Sequence, residues 1–237
     1  MTAKLTVKSD AGKNETKQAP LSRHKANSAQ TRERLLLAAQ SLYAARGIDA
    51  VSFNEITVAA GQKNRNALQY HFGNKETLLT AITTKHSSVI FQMRREYLAQ
   101  IPDKLASKQW TAAKATAKTL VMPIADYVAT HSDGVEYLKI VSHLAAIDMT
   151  NSQKESGINI ATDKDFAKLM NNALSHLKPT ESKRRIFLAV GFAFHSLADI
   201  YRASADPQAK SFIQEHKKMI EQLVIAIEAI FAAKSAS

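Results

Sequence analysis

The stretch SFNEITVAAGQKNRNALQYHF, residues 52–72, holds two short helical patterns joined by a tight connection that starts on a glycine. Ser52 and Glu55 have the S-x-x-E spacing of a capping box, in which the hydroxyl accepts the Glu55 amide and the carboxylate returns to the Ser52 amide. A helix is therefore expected from Phe53. Phe53, Ile56, Ala59 and Ala60 recur at three- and four-residue spacing, which lays them along one buried face. Gly61 is expected to end that helix, because it takes positive φ without a Cβ penalty. The next helix is expected to begin at Asn64 as N-cap, with Leu68 and Phe72 inward and Arg65, Asn66, Gln69 and Tyr70 outward. The pattern reads as a helix-turn-helix. Arg, Asn and Gln carry the donor and acceptor pairs that match guanine and adenine edges in the major groove, and a helix N-terminus favours phosphate.

Residues 31–79, TRERLLLAAQSLYAARGIDAVSFNEITVAAGQKNRNALQYHFGNKETLL, extend the pattern on both sides. Ala38-Ala39, Leu42-Tyr43, Arg46-Gly47, the Ala60-Gly61 turn, Tyr70-His71-Phe72, Asn74-Lys75-Glu76 and Leu78-Leu79 together resemble the N-terminal DNA-binding domain of the TetR family of transcriptional repressors. One departure stands out: the Gln62-Lys63 connection is one residue longer than the family pattern, and a polar pair replaces a small apolar residue. The resemblance implies backbone contacts to DNA at the positions of Tyr70, His71 and Lys75, although His71 is read equally well as a partly buried ring. Lys75, in the first turn of a helix capped by Asn74, is a cation where the dipole mildly disfavours one, and a phosphate would remove the conflict. With Ser52, Lys63, Asn64, Arg65, Asn66 and Gln69 these residues form the candidate DNA surface.

Of 237 residues, 32 are Lys or Arg and 21 Asp or Glu, so the net charge of +11 suits a polyanionic partner or simply a basic surface. Cysteine is absent, which rules out disulfides and thiolate chemistry and fits a cytoplasmic location. No run of 18 or more consecutive apolar residues occurs, so no membrane partner is expected. Residues 1–27 carry scattered Lys and Arg with few large apolar side chains and no signal-peptide core, and are read as a disordered basic arm. Lys4 to Lys17 are read as a solubilising tail, and Arg23, Lys25 and Arg32 as DNA contacts beside the first helix, which is expected over residues 28–46.

Residues 28–75 thus form a three-helix DNA-binding unit, and residues 76–237 a helical ligand-binding and dimerisation unit. The chain is expected to be all-α with about nine helices. A long helix from Lys75 is expected to close near Gln100, before Pro102, and a helix from Trp110 to His131 to kink at Pro123. Asp133 to Asp148 and Asp163 to Leu177 read as helices separated by a long loop at residues 150–162, and Pro207 as a break after a helix ending near Ser204. The last two helices are apolar over more than one face. Ile186, Val190, Phe194 and Leu197 on one, with Met219, Ile220, Leu223, Val224, Ile227, Ile230 and Phe231 on the other, are expected at a homodimer interface, an arrangement the family resemblance also implies.

Tyr127, Tyr137, His143, Phe166, Phe192, His195 and Tyr201 are candidates for lining an effector pocket, each also readable as plain core. The effector is expected to be small, largely apolar and not strongly anionic, because few buried cations are apparent in the bundle. His195 and Asp199 have i, i+4 metal-ligand spacing, with His143 or His176 as helpers, but a hydrogen-bonded helix pair explains them more simply, and no metal or other cofactor is expected. No nucleophile elbow, phosphate-binding glycine loop or H-E-x-x-H motif occurs, so no enzyme is expected. The resulting reading is a dimeric repressor that binds double-stranded DNA at a palindromic operator and releases it on binding a small molecule. The alternative is a nonspecific nucleic-acid-binding or architectural protein without a ligand switch.

Overall fold

The computed structural model describes residues 20–148, 163–204 and 216–235, with nine helices and no strand among them. They are α1 (Pro20–Arg46), α2 (Phe53–Ala59), α3 (Ala67–Phe72), α4 (Lys75–Ala106), α5 (Ala112–Thr130), α6 (Gly134–Asp148), α7 (Lys164–Ala173), α8 (Pro179–Ser204) and α9 (His216–Ala232). The expected loop at 150–162, the Pro207 break and the tail from Lys4 to Lys17 lie outside the described residues.

Apolar stripes on α1 to α4 close a first core. Leu35, Leu36, Ala39 and Tyr43 from α1 meet Ile56, Leu68, Phe72, Leu78 and Ile82, and α6 adds Ile140 and Leu144 from the side. The remaining helices surround α5, whose Leu120, Val121 and Ile124 are almost fully buried, and α8 and α9 supply Val190, Phe194, Leu197, Leu223, Val224 and Ile227 to this second core. Complete burial of each such Leu, Ile or Phe is worth about 1.5–3 kcal/mol. α4, about 48 Å long by its rise per residue, runs through both cores.

Several expected boundaries move. α1 starts at Pro20, inside the segment read as a disordered arm; proline suits a first helical position because its missing N–H has no intrahelical partner there. α4 continues through Pro102 to Ala106, since an exposed proline one turn from the end costs a single backbone bond, and Ser107 then caps the helix. Pro123 likewise lies within an unbroken α5. There the carbonyl that its missing N–H would have bonded, Thr119 O, instead accepts from the buried Arg94 Nε at 3.3 Å. α5 and α6 meet closely at Gly134, where an added Cβ would lie 2.8 Å from Val128 Cα.

The faces of α8 and α9 also differ from expectation. Val190, Phe194, Leu197, Ile220, Leu223, Val224, Ile227 and Phe231 are buried within their own chain, and Ile186, Met219 and Ile230 pack partly against the same core, so the proposed interface stripe is an interior one. The apolar side chains left outside are Phe187, Leu188 and Phe192 on α8 and Ile225 on α9. By length and composition α8 could cross a membrane, but 39% of that window is buried in the protein, which accounts for one of its two apolar faces.

The two cores are joined by a polar cluster. His86 on α4 is fully buried; its Nδ1 is 2.5 Å from the Tyr127 hydroxyl and its Nε2 is 2.8 Å from Gln40 Oε1 on α1. Gln40 Nε2 donates to Glu136 Oε2 at 3.2 Å and to the Asp133 carbonyl at 3.4 Å, which fixes Oε1 as the end facing histidine. His86 is therefore protonated on Nε2 and accepts from Tyr127 at Nδ1. Lys85 pairs with Asp133 and Glu33 around it.

Candidate nucleic-acid interface

The capping box at α2 forms as the sequence specifies. Ser52 Oγ accepts from Glu55 N at 3.3 Å, and Glu55 Oε2 accepts from Ser52 N at 2.9 Å. Hydrogen bonds from the Ser52 amide and hydroxyl, and then from Arg46, hold the Glu55 carboxyl down to about 2. The Ser52 hydroxyl is thus engaged within the cap, which leaves the exposed residue less free to meet phosphate than expected. Ile56 and Ala60 are buried and Phe53 partly so, whereas Ala59 is exposed and Thr57 takes the buried place, its hydroxyl bonding the Phe53 carbonyl.

Gly61 has φ +67°, with Gly61 N–H on Val58 O at 2.9 Å and Gln62 N–H on Thr57 O at 3.0 Å. This paired closure is a Schellman motif, and it satisfies two carbonyls of the α2 end. The connection is longer than expected. Asn64 does not cap α3: its Oδ1 accepts from Asn66 N at 3.0 Å and its carbonyl from Ala67 N at 3.0 Å, so residues 64–66 form a turn and the helix begins at Ala67. An Asn side chain readily closes such a local turn, and here it competes with the helix start.

On α3, Leu68 and Phe72 are buried, while Lys63, Asn64, Arg65, Asn66, Gln69 and Tyr70 are exposed, Tyr70 by 81%. Two orienting contacts flank them. The Arg32 guanidinium lies 4.7 Å from the Phe72 ring centroid, which holds an exposed cation of α1 beside α3. Lys75 Nζ is 3.1 Å from Asp49 Oδ1, so the cation at the start of α4 already has a partner and the conflict with the helix dipole is partly relieved. His71 is half-buried, and burial followed by the Arg32 charge lowers its pKa. Lys25 is exposed on α1, and Arg23 falls on the same helix with its side chain outside the described residues. Sequence reasoning passed over Val58, 68% exposed on α2; its position off the Ile56 stripe was the available signal. An exposed valine beside exposed polar side chains has the chemistry to contact a thymine methyl.

Residues 35–82 match the family described as bacterial regulatory proteins, tetR family. The matched segment contains α2, the glycine turn, α3 and the start of α4. The chain carries a TetR-family DNA-binding domain. Among solved structures, this chain is similar to a TetR-family regulator from Streptomyces coelicolor A3, at 16% identity and TM-score 0.41, over 86% of this chain and 96% of that one. It is also similar to RolR in complex with resorcinol, at 19% identity and TM-score 0.36, over 90% and 98% of the two chains. No curated protein matches it.

The expected pocket residues divide between the interior and the outer faces of the helices. Tyr127, Tyr137 and Phe166 are buried and Tyr201 is half-buried, its hydroxyl donating to Ala125 O at 2.8 Å. His143, Phe192 and His195 are exposed, because they sit on the outer faces of α6 and α8 while Leu144 and Phe194 beside them turn inward. Among the described residues no group of three His, Cys, Asp or Glu has metal-holding geometry; Asp199 pairs with Arg202 instead of His195.

Proposed function

We propose that the protein is a homodimeric, sequence-specific repressor acting in the cytoplasm, released from a palindromic operator by a small molecule held in the bundle. The observation that carries the DNA reading is the TetR-type head with Arg65, Asn66, Gln69 and Tyr70 exposed together around a turn and helix anchored by Leu68 and Phe72. Arg65, Asn66 and Gln69 read base edges, and Tyr70, Lys75, Arg32 and Lys25 meet phosphate.

Pairing of two chains is supported by the outer face of α8 and α9. Phe187, Leu188 and Phe192, 39–57% exposed, flank Gly191, where an added Cβ would meet nothing within 4 Å, and Ile225 adds a fourth apolar side chain. A second copy of this face would bury them and set the spacing of the two heads. A ligand that prefers bundles with the wrong head spacing shifts the population away from DNA, by no more than its differential affinity for the two states.

Selection of bound duplexes from a random pool tests the reading. A palindrome with two half-sites is the expected product. Enrichment without any consensus would establish the architectural alternative instead.

A further inference from the structure

α4 carries a second buried basic residue eight positions after His86. Arg94 is 4% exposed, and only its Nε–H has an acceptor among the described residues, the Thr119 carbonyl that Pro123 leaves unbonded. Its four terminal N–H donors have none, and no ion pair joins it to another described residue. The guanidinium carbon lies 5.2 Å from the centroid of Phe166, which is fully buried. Tyr137, 4% exposed, stands close enough for the Arg94 charge to act on its hydroxyl, and that hydroxyl bonds to no described residue. Asp163 completes the cluster. Its Oδ1 caps α7 through Asp165 N and Phe166 N, but its Oδ2 is buried without a partner, and its charge acts on Arg94.

Asp163 Oδ2 is enclosed without a partner, which is costly unless something fills the site, while the Arg94 terminal nitrogens and the Tyr137 hydroxyl bond to no described residue without being fully enclosed and so stay free to meet a ligand. Repair of the Pro123 carbonyl uses one donor of five and would not require a fork. Water satisfies single hydrogen bonds but does not present the paired oxygens that a guanidinium fork takes. The terminal N–H pairs match the two oxygens of a carboxylate, the flat Phe166 and Tyr137 rings suit an aromatic body, and Asp163 Oδ2 requires a donor from the ligand. The geometry points to an internal site for a small aromatic carboxylate bearing a hydroxyl, its carboxylate on Arg94 and its hydroxyl donating to Asp163. This rests on the ligand-switch reading above and departs from the expectation of an effector that is largely apolar and not strongly anionic, which followed from the few buried cations apparent in the bundle. Farther along α4 and α7 lies a groove of about 640 Å³ lined by Leu98, Ile101, Leu105 and Leu169, with Arg95, Lys168 and Asp165 at its polar margin.

Calorimetry on the full-length, DNA-free protein tests the site with 3- and 4-hydroxybenzoate, and with benzoate, phenol and inorganic phosphate as controls. At least one hydroxybenzoate is expected to bind more tightly than benzoate and phenol, with Arg94→Met weakening it about tenfold or more and Tyr137→Phe less. Arg94→Lys, which keeps a cation in the bundle, guards against misfolding and is expected to weaken binding too, because it lacks the fork. Unchanged affinity in both Arg94 variants overturns the site, as does phosphate binding as tightly as the hydroxybenzoates. Release of a DNA duplex is measured separately. Binding at Arg94 without release would sustain the site and remove the switch, whereas release by neutral compounds alone would sustain the switch and overturn the anionic ligand.

Discussion

Glutamine, histidine and tyrosine each occur twice at decisive places, once on the DNA-facing head and once at the joint between head and bundle. Gln69 and Tyr70 are exposed and His71 half-buried, and none of the three side chains is tied into a hydrogen-bond network among the described residues. Gln40, His86 and Tyr127 are buried and bonded to one another across α1, α4 and α5. The same functional groups stay free to meet a partner where water surrounds them, and lend rigidity where burial obliges each to find one within the chain. An exposed head surface and a buried joint are thus made from one chemical vocabulary.

The largest effect should come from testing inside against outside on the last two helices. Ile227→Glu places an unpaired carboxylate where exposure is zero, and should cost about 3–5 kcal/mol and unfold the chain. Leu188→Glu, on the outer face, should leave the melting temperature of the subunit nearly unchanged while shifting sedimentation from dimer to monomer. Equal damage from both would erase the distinction between the two faces of α8 and α9.

Breaking the joint should be milder. Gln40→Leu leaves the His86 Nε2–H without an acceptor, and should cost about 1–3 kcal/mol in denaturant unfolding. Burial, opposed by Asp133 and aided by Lys85 and His131, draws the His86 pKa down to about 4. A histidine kept neutral when folded binds its proton more readily when unfolded, so its contribution is complete above about pH 6.5 and is lost as pH falls toward 4. Melting curves across that window should show the loss, and His86→Gln should flatten it. Glu55, held near 2, contributes only to losses at lower pH.

On the head the order reverses: stability should hardly change and binding should. Arg65→Ala and Gln69→Ala are each expected to cost about 1–3 kcal/mol on the cognate duplex, relaxing one base position, with unfolding altered by less than about 0.5 kcal/mol. Lys75→Ala should weaken cognate and scrambled duplexes alike. Titrations in which Arg65→Ala and Lys75→Ala act identically on both duplexes would end the division of roles.

The smallest expected effect concerns a polar group that found no partner. The Tyr43 hydroxyl is buried without a hydrogen bond, and burial, with the Asp49 charge behind it, raises its pKa to about 12. Tyr43→Phe removes that unsatisfied hydroxyl and should be neutral or stabilising by up to about 1 kcal/mol in thermal unfolding.

The sequence by itself determined what is settled within a few residues: the Ser52–Glu55 capping box, the Gly61 turn, the Asn74 cap, and the inward faces of Leu68 and Phe72. Each follows from a local hydrogen bond or a helical period. The start of α3 escaped because the Asn64 side chain closes a turn as readily as it caps a helix, and spacing does not separate the two. Only the tertiary structure decided which of two apolar faces α8 turns inward, since either satisfies the same periodicity. It also decided that His86 meets partners 41 and 46 residues away and that Arg94 is buried. Burial of a polar group is fixed by which helices pack across it, and no local pattern carries that information.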